Sequence, residues 1–104
     1  VIPGVAKFQE YLRQDQESLD FISKFNAAGK PIAAICHGSQ MLISAKVVKE
    51  RRVSGYYSIK DDLINAGATY VDEPAVVDEN LITTAHYKHM GPWMKAMLKA
   101  CGVE

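Results

Sequence analysis

The residues with the strongest chemical signal are consecutive: Cys36, His37 and Gly38 follow directly on the apolar run Ile32-Ala33-Ala34-Ile35. A cysteine where a buried strand turns sharply into a helix has its sulfur exposed at the sheet edge, facing the backbone N–H groups of the helix start. The serine version of that turn is the nucleophile elbow. Small residues on both sides, Ala34 and Gly38, suit the strained backbone and close helix–strand contact that such a turn needs. The positive end of a helix beginning at His37 or Gly38, together with a neighbouring imidazolium, favours thiolate and predicts a low-pKa nucleophile at Cys36. The opposing reading is an inert cysteine, because free cysteine is among the most buried residue types and an apolar strand is where it would sit. His37 likewise has an alternative as a local cap. Adjacent side chains usually point apart, so contact between its ring and the sulfur requires the distortion of the turn.

The other titratable groups carry less. His86 and His89 are three apart, but separated histidines without a carboxylate at ligand spacing read as an ordinary loop, with His86 at the mouth of the site. No metal is expected. Asp61-Asp62 read as helix-start charges that complement the dipole, not as a catalytic carboxylate pair. Trp93, Met94, Met97 and Leu98 read as core packing, with an oligomer contact as the lesser option.

These residues need elements to position them. Val1-Ile2-Pro3 reads as the end of a buried strand stopped by Gly4. From Asp15 as N-cap, Leu19, Phe21, Ile22, Phe25 and Ala28 lie on one side of a helix closed by Gly29. Ile32 to Ile35 is the unbroken apolar run of a central parallel strand covered on both faces. A second helix begins with Met41, Leu42, Ile43 and Ala45. Val53 to Tyr57 reads as a short strand, Ser58 as the N-cap of a third helix, and Ile59, Leu63, Ile64 and Ala66 as its buried face, closed by Gly67. Tyr70-Val71, Ala75-Val77 and Leu81-Thr84 read as short strands, the last two joined into a hairpin through Asp78-Glu79-Asn80. Pro92 suits the first turn of a last helix carrying Trp93, Met94, Met97, Leu98 and Cys101 along one stripe, ended by Gly102. Alternating strands and helices at these spacings predict an α/β layered fold with a mainly parallel sheet. Ligands of such folds sit beyond the carboxyl ends of strands, where Cys36-His37 falls.

Composition bounds the remaining possibilities. The 104 residues carry 12 Lys+Arg against 12 Asp+Glu, a net charge of zero that lacks the footprint of nucleic-acid binders and polybasic membrane proteins. The length allows one domain. Cys36 and Cys101 form neither a C-x-x-C pair nor a disulfide framework, which fits a reducing cytoplasm. No apolar run approaches the ~18 residues of a membrane span. The opening at Val1 reads as a processed or truncated start.

Gly29-Lys30-Pro31-Ile32-Ala33-Ala34-Ile35-Cys36-His37-Gly38, then Gly55-Tyr56-Tyr57-Ser58-Ile59-Lys60-Asp61-Asp62-Leu63 and Asn65-Ala66-Gly67-Ala68, and finally Val76 through Thr83, resemble the PfpI-like branch of the ThiJ/PfpI superfamily. The resemblance runs over nearly the whole chain. It implies a flavodoxin-like three-layer α/β sandwich, related to class I glutamine amidotransferases, with Cys36 as nucleophile and His37 as the family histidine. An acidic residue from a neighbouring subunit, matched here by Glu10, would complete a Cys-His-Glu arrangement, which implies a homo-oligomer. Backbone N–H groups after the first strand, here Gly4 and Val5, together with His37, would bind an oxyanion. Gly38 on the elbow and His86, from its place at the mouth and not from the family pattern, are expected to contact substrate. The chain departs from the family pattern in having Val5 in place of a second glycine, Ser39 in place of a proline, and Thr84-Ala85-His86-Tyr87-Lys88-His89 in place of a serine-arginine segment. No residue matches the family glutamate that hydrogen-bonds the cysteine. Residues 1–104 are therefore expected to form the C-terminal part of one such domain, without its N-terminal units.

The implied function is that of a glyoxalase or deglycase acting on small reactive carbonyls such as methylglyoxal or their protein adducts, without a cofactor. An intracellular cysteine peptidase is one alternative, and it needs an oxyanion hole that Val5 weakens. A redox-sensing stress protein or holdase, oxidised at Cys36, is another. A fragment without activity, its apolar strand edges needing a partner segment, is a third.

Overall fold

The computed structural model describes residues 1–4 and 10–102. In chain order its elements are α1 (Gln16–Ala27), β1 (Ile32–Ile35), α2 (Ser39–Ser44), β2 (Arg52–Val53), α3 (Lys60–Asn65), β3 (Thr69–Tyr70), β4 (Val76–Asp78), β5 (Leu81–Thr84) and α4 (Met90–Ala100). Three 3₁₀ turns, Cys36–Gly38, Tyr57–Ile59 and Tyr87–His89, lead into α2, α3 and α4.

Ile32-Ala33-Ala34-Ile35 offers water nothing on either face, and every residue of β1 is buried. It pairs in parallel with β5, which is also buried throughout, in the register Ile32↔Leu81 to Ile35↔Thr84. On its other side Ile2 forms a parallel bridge to Ala34, its N–H donating to Ala33 O at 2.6 Å. β4 returns antiparallel on β5 through Glu79-Asn80, the expected hairpin, with Glu79 at φ 53°. β2 and β3 form a separate parallel pair.

Strand side chains alternate between faces, so a strand buried on both sides feeds two cores. Ile32, Ala34 and Leu81 join Ile22 of α1, Met41 and Leu42 of α2 and Leu63 of α3. Ala33, Ile35 and Ile82 join Cys36 and Trp93 of α4. Helices thus cover opposite faces of one sheet, and the three layers are present. Trp93 is anchored as well as packed, its indole N–H donating to Ile82 O at 3.1 Å.

Several expected elements are shorter or turned. The strand expected over Val53–Tyr57 stops at Val53, because the Tyr56 N–H bonds to Cys36 O at 3.0 Å instead of continuing a ladder. Ser58 lies inside the 3₁₀ turn that follows and is not an N-cap. The helical stripes are narrower than their periodicity implies: Phe21, Ile64, Met94 and Leu98 are exposed, as is Cys101. Short α3 reaches the core through Leu63, and α4 chiefly through Trp93, with Ala96 and Met97 alongside. Among the described residues no helix is long and apolar enough to cross a membrane.

Candidate active site

Ile35 is still extended, at φ −130° and ψ 140°, and the next residue reverses the chain: Cys36 sits at φ 59°. Left-handed backbone costs a residue with a Cβ about 1–2 kcal/mol. The surroundings hold it there. Cys36 O accepts the Tyr56 N–H, and the segment Ile2-Pro3-Gly4 presses on the turn from the other side. A methyl group on Gly38 would strike Ile2 O, and one on Gly4 would strike Gly38 N. Both glycines are thus required by close backbone approach. Gly4, expected as an oxyanion donor, lies buried against the elbow, while Val5 falls outside the described residues. Ser39 is fully buried, and its hydroxyl donates to Ser54 O at 2.7 Å, tying the start of α2 to the chain after β2.

The distortion of the elbow brings neighbours together. Cys36 Sγ lies 3.4 Å from His37 Nδ1, and His37 Nε2 lies 3.4 Å from Ser58 Oγ. The imidazole stacks on Tyr56, with ring centres 4.9 Å apart and planes at 26°. Tyr56 is in turn 6.1 Å from the ring of His86, which meets Tyr87 edge-on at 6.4 Å. His86 Nδ1 accepts the Lys88 N–H at 3.1 Å, and the Tyr87 hydroxyl donates to Gly4 O at 3.0 Å. An aromatic chain therefore runs from Cys36 and His37 to the segment that braces the elbow. His86 lies in this chain of rings, whereas His89 stands at the N-terminal boundary of α4 without a side-chain capping bond.

The expectation of a lowered thiol pKa is corrected. Cys36 is only 7% exposed, packed with Ala33, Ile35, Ile82 and Trp93. Burial pushes its thiol above the ordinary cysteine range, and the His37 backbone N–H offsets only part of the rise. Burial thus favours the protonated thiol over the thiolate at Cys36. Its neighbour, His37 Nδ1, stands in hydrogen-bonding position.

Among the described residues no carboxylate bonds to Cys36 or His37. Glu10 is exposed, its backbone carbonyl accepting from the Gln14 side chain at 2.6 Å, so within one chain the structure does not join it to the pair. Asp61 and Asp62 occupy the first turn of α3. Among the described residues no group of three His, Cys, Asp or Glu could hold a metal ion. Sequence reasoning missed Tyr56, Ser58 and Tyr87 as site residues. The available signal was the run Gly55-Tyr56-Tyr57-Ser58, with aromatic and hydroxyl groups just before a helix. An open apolar groove of about 490 Å³ lies elsewhere, between α1 and the Val1–Pro3 segment, lined in part by Ile2, Leu12, Phe21, Ile22, Phe25 and Met41.

The model of the DJ-1/PfpI family matches residues 1–100. The chain belongs to the DJ-1/PfpI family. It is similar to Deglycase PfpI of Pyrococcus furiosus, 39% identical over 99 residues that make up 95% of this chain and 59% of the relative. It is also similar to Protein/nucleic acid deglycase 2 of Escherichia coli, 42% identical over 85 residues, 82% of this chain and 49% of that protein. Among solved structures, a two-domain protein of Anabaena variabilis containing DJ-1/ThiJ/PfpI-like and ferritin-like domains superposes with a TM-score of 0.88 at 34% identity, over 90% of this chain and 27% of that one. The chain thus spans about half the length of the curated DJ-1/PfpI relatives it matches.

Proposed function

We propose that the protein is a cysteine-dependent deglycase or glyoxalase for small reactive carbonyls, such as methylglyoxal, and their early protein adducts. The observation that carries this reading is the 3.4 Å approach of His37 Nδ1 to a buried Cys36 thiol on a left-handed elbow. As sulfur attacks the carbonyl carbon, a C–S bond forms, the carbonyl π pair moves to oxygen, and the thiol proton passes to His37 Nδ1. Return of that proton to the alkoxide gives a neutral hemithioacetal, with atoms and charge balanced. A thiol kept protonated until the base acts suits this addition. The deglycase named among the relatives supports the reaction class.

The zero net charge supplies no general electrostatic attraction to a nucleic-acid backbone or an anionic membrane. Glu10 of the partner subunit, in a homo-oligomer within the cytoplasm, is the proposed acidic partner. Replacing Cys36 by Ser should abolish consumption of methylglyoxal and release from a glycated peptide. Undiminished consumption in C36S would overturn the reading, and cleavage of an unmodified peptide by the wild type alone would replace it with a peptidase. Oxidative sensing is disfavoured by the burial and raised pKa of the thiol, because oxidation follows thiolate character and exposure.

A further inference from the structure

We infer that His86 is a specificity-determining residue, donating through Nε2–H to a main-chain carbonyl of peptides that carry the adduct on a long side chain, lysine or arginine. The inference deepens the proposed cysteine chemistry and rests on it, naming the part of the substrate read beyond the sulfur. β5 is buried to its end at Thr84, and Ala85 is fully buried, so His86 is the first residue after the strand to reach the surface. Ligands of α/β sheets collect at such strand ends.

The direction of its hydrogen bond is set by the backbone. His86 Nδ1 accepts the Lys88 N–H at 3.1 Å, capping the Tyr87–His89 turn. A main-chain amide can only donate, unlike a hydroxyl. Nδ1 must therefore present its lone pair, and the one hydrogen of the neutral ring stands on Nε2. The same bond holds the ring in place before substrate arrives. Among the described residues nothing accepts from Nε2, and the half-buried ring leaves an oriented donor open to a ligand. Such a donor loses little freedom on binding.

Distance from the nucleophile selects the acceptor. Cys36 Sγ touches His37, the His37 ring stacks on Tyr56 at 4.9 Å, and Tyr56 lies 6.1 Å from His86, so the donor stands two ring contacts beyond the base. Methylglyoxal joined to sulfur reaches only about 4 Å and stays beside His37. In a lysine adduct attacked at its ketone carbon, nitrogen is two carbons from sulfur, and the extended side chain carries the peptide backbone to about 10 Å. That distance matches the two ring contacts. An adduct on a short side chain such as cysteine falls about 3 Å short. Every peptide offers a main-chain carbonyl, whatever its sequence. Exposed Tyr57 and Tyr87 border the same path and supply ring surface for the aliphatic stem.

The experiment compares rates of Cys36 alkylation in the C101S background, because Cys101 is free and exposed. Two iodoacetyl reagents place nitrogen two carbons from sulfur, as the adduct does. Nα-acetyl-Nε-iodoacetyl-lysine methylamide has a main chain, and N-butyl iodoacetamide is the same side chain without one. The lysine reagent should react about three- to tenfold faster, the worth of one hydrogen bond. H86N keeps an acceptor for the Lys88 N–H but places no donor at Nε2, and should bring the ratio close to one. H86Q, whose amide nitrogen lies where Nε2 does, should restore part of the advantage. The shorter iodoacetyl derivative of diaminopropionic acid should gain nothing from His86. Equal rates for the two reagents before His86 is changed, or an advantage that survives H86N, would overturn the inference. So would a loss in H86N that H86Q does not relieve, or the same gain for the short reagent. None of these rates needs carbonyl turnover, so recognition at His86 and methylglyoxal consumption at Cys36 fail separately.

Discussion

At Cys36 the backbone favours one residue and the chemistry another. A φ of 59° is glycine's territory, yet only a side chain can carry sulfur. Replacing Cys36 by Gly and by Ala separates the two demands. C36G should be the more stable by about 1 kcal/mol in urea unfolding, since glycine releases the left-handed penalty that alanine retains; alanine proving the more stable would show an unstrained turn. The raised thiol pKa gives a second prediction. The folded chain binds the Cys36 proton more tightly than the unfolded chain does, so this contribution is intact below the unfolded cysteine pKa and is lost as pH rises through it toward the folded value. Urea unfolding from pH 7 to 10 should therefore show a steeper loss of stability for C101S than for C36A/C101S. The cysteine, histidine and glycine were legible because the elbow needs those types in that order. The direction of the pKa shift was not, because the groups that desolvate the sulfur include Ile82 and Trp93, far along the chain.

At the scale of elements, the elbow works because a neighbouring segment lies almost on its backbone. G4A and G38A should each destabilise by about 1–3 kcal/mol or fail to fold, as the added methyl meets main chain that cannot rotate away. Gly91 in α4 has open space around it, so G91A should leave the melting temperature unchanged or raise it. Thermal melts of the three variants check both statements. The stretches now seen as α1, β1, β5 and α4 were readable from their apolar patterns, since each buries a face that its own residues specify. Tyr56 and Tyr57 misled for a physical reason: aromatic residues favour strands, but here the Tyr56 N–H is committed to Cys36 O and the ring to His37. Ser58 misled similarly. A serine with an aspartate three residues on looks like a cap, while its position is set by the preceding 3₁₀ turn and its hydroxyl faces an imidazole from another loop.

For the molecule as a whole, the groove beside α1 leaves apolar surface open among the described residues. The groove beside α1 holds Phe21, 65% exposed, above Ile22, Phe25 and Met41. Contiguous apolar surface of this kind takes up hydrophobic dyes. The 104-residue chain should enhance anilinonaphthalene sulfonate fluorescence, and F21E should reduce that enhancement without altering Cys36 alkylation; an unchanged signal would place the dye elsewhere. The two ends of the described chain meet at the site, because Tyr87 holds Gly4 and Trp93 lies beneath Cys36. Synthesis runs from the amino end at roughly 5–20 residues per second, so Cys36 is made about 3–11 seconds before Trp93. Through that interval the sulfur lacks the cover that Trp93 supplies. The nascent chain carries an ordinary open thiol, exposed to the same reactive carbonyls that the finished protein is proposed to process.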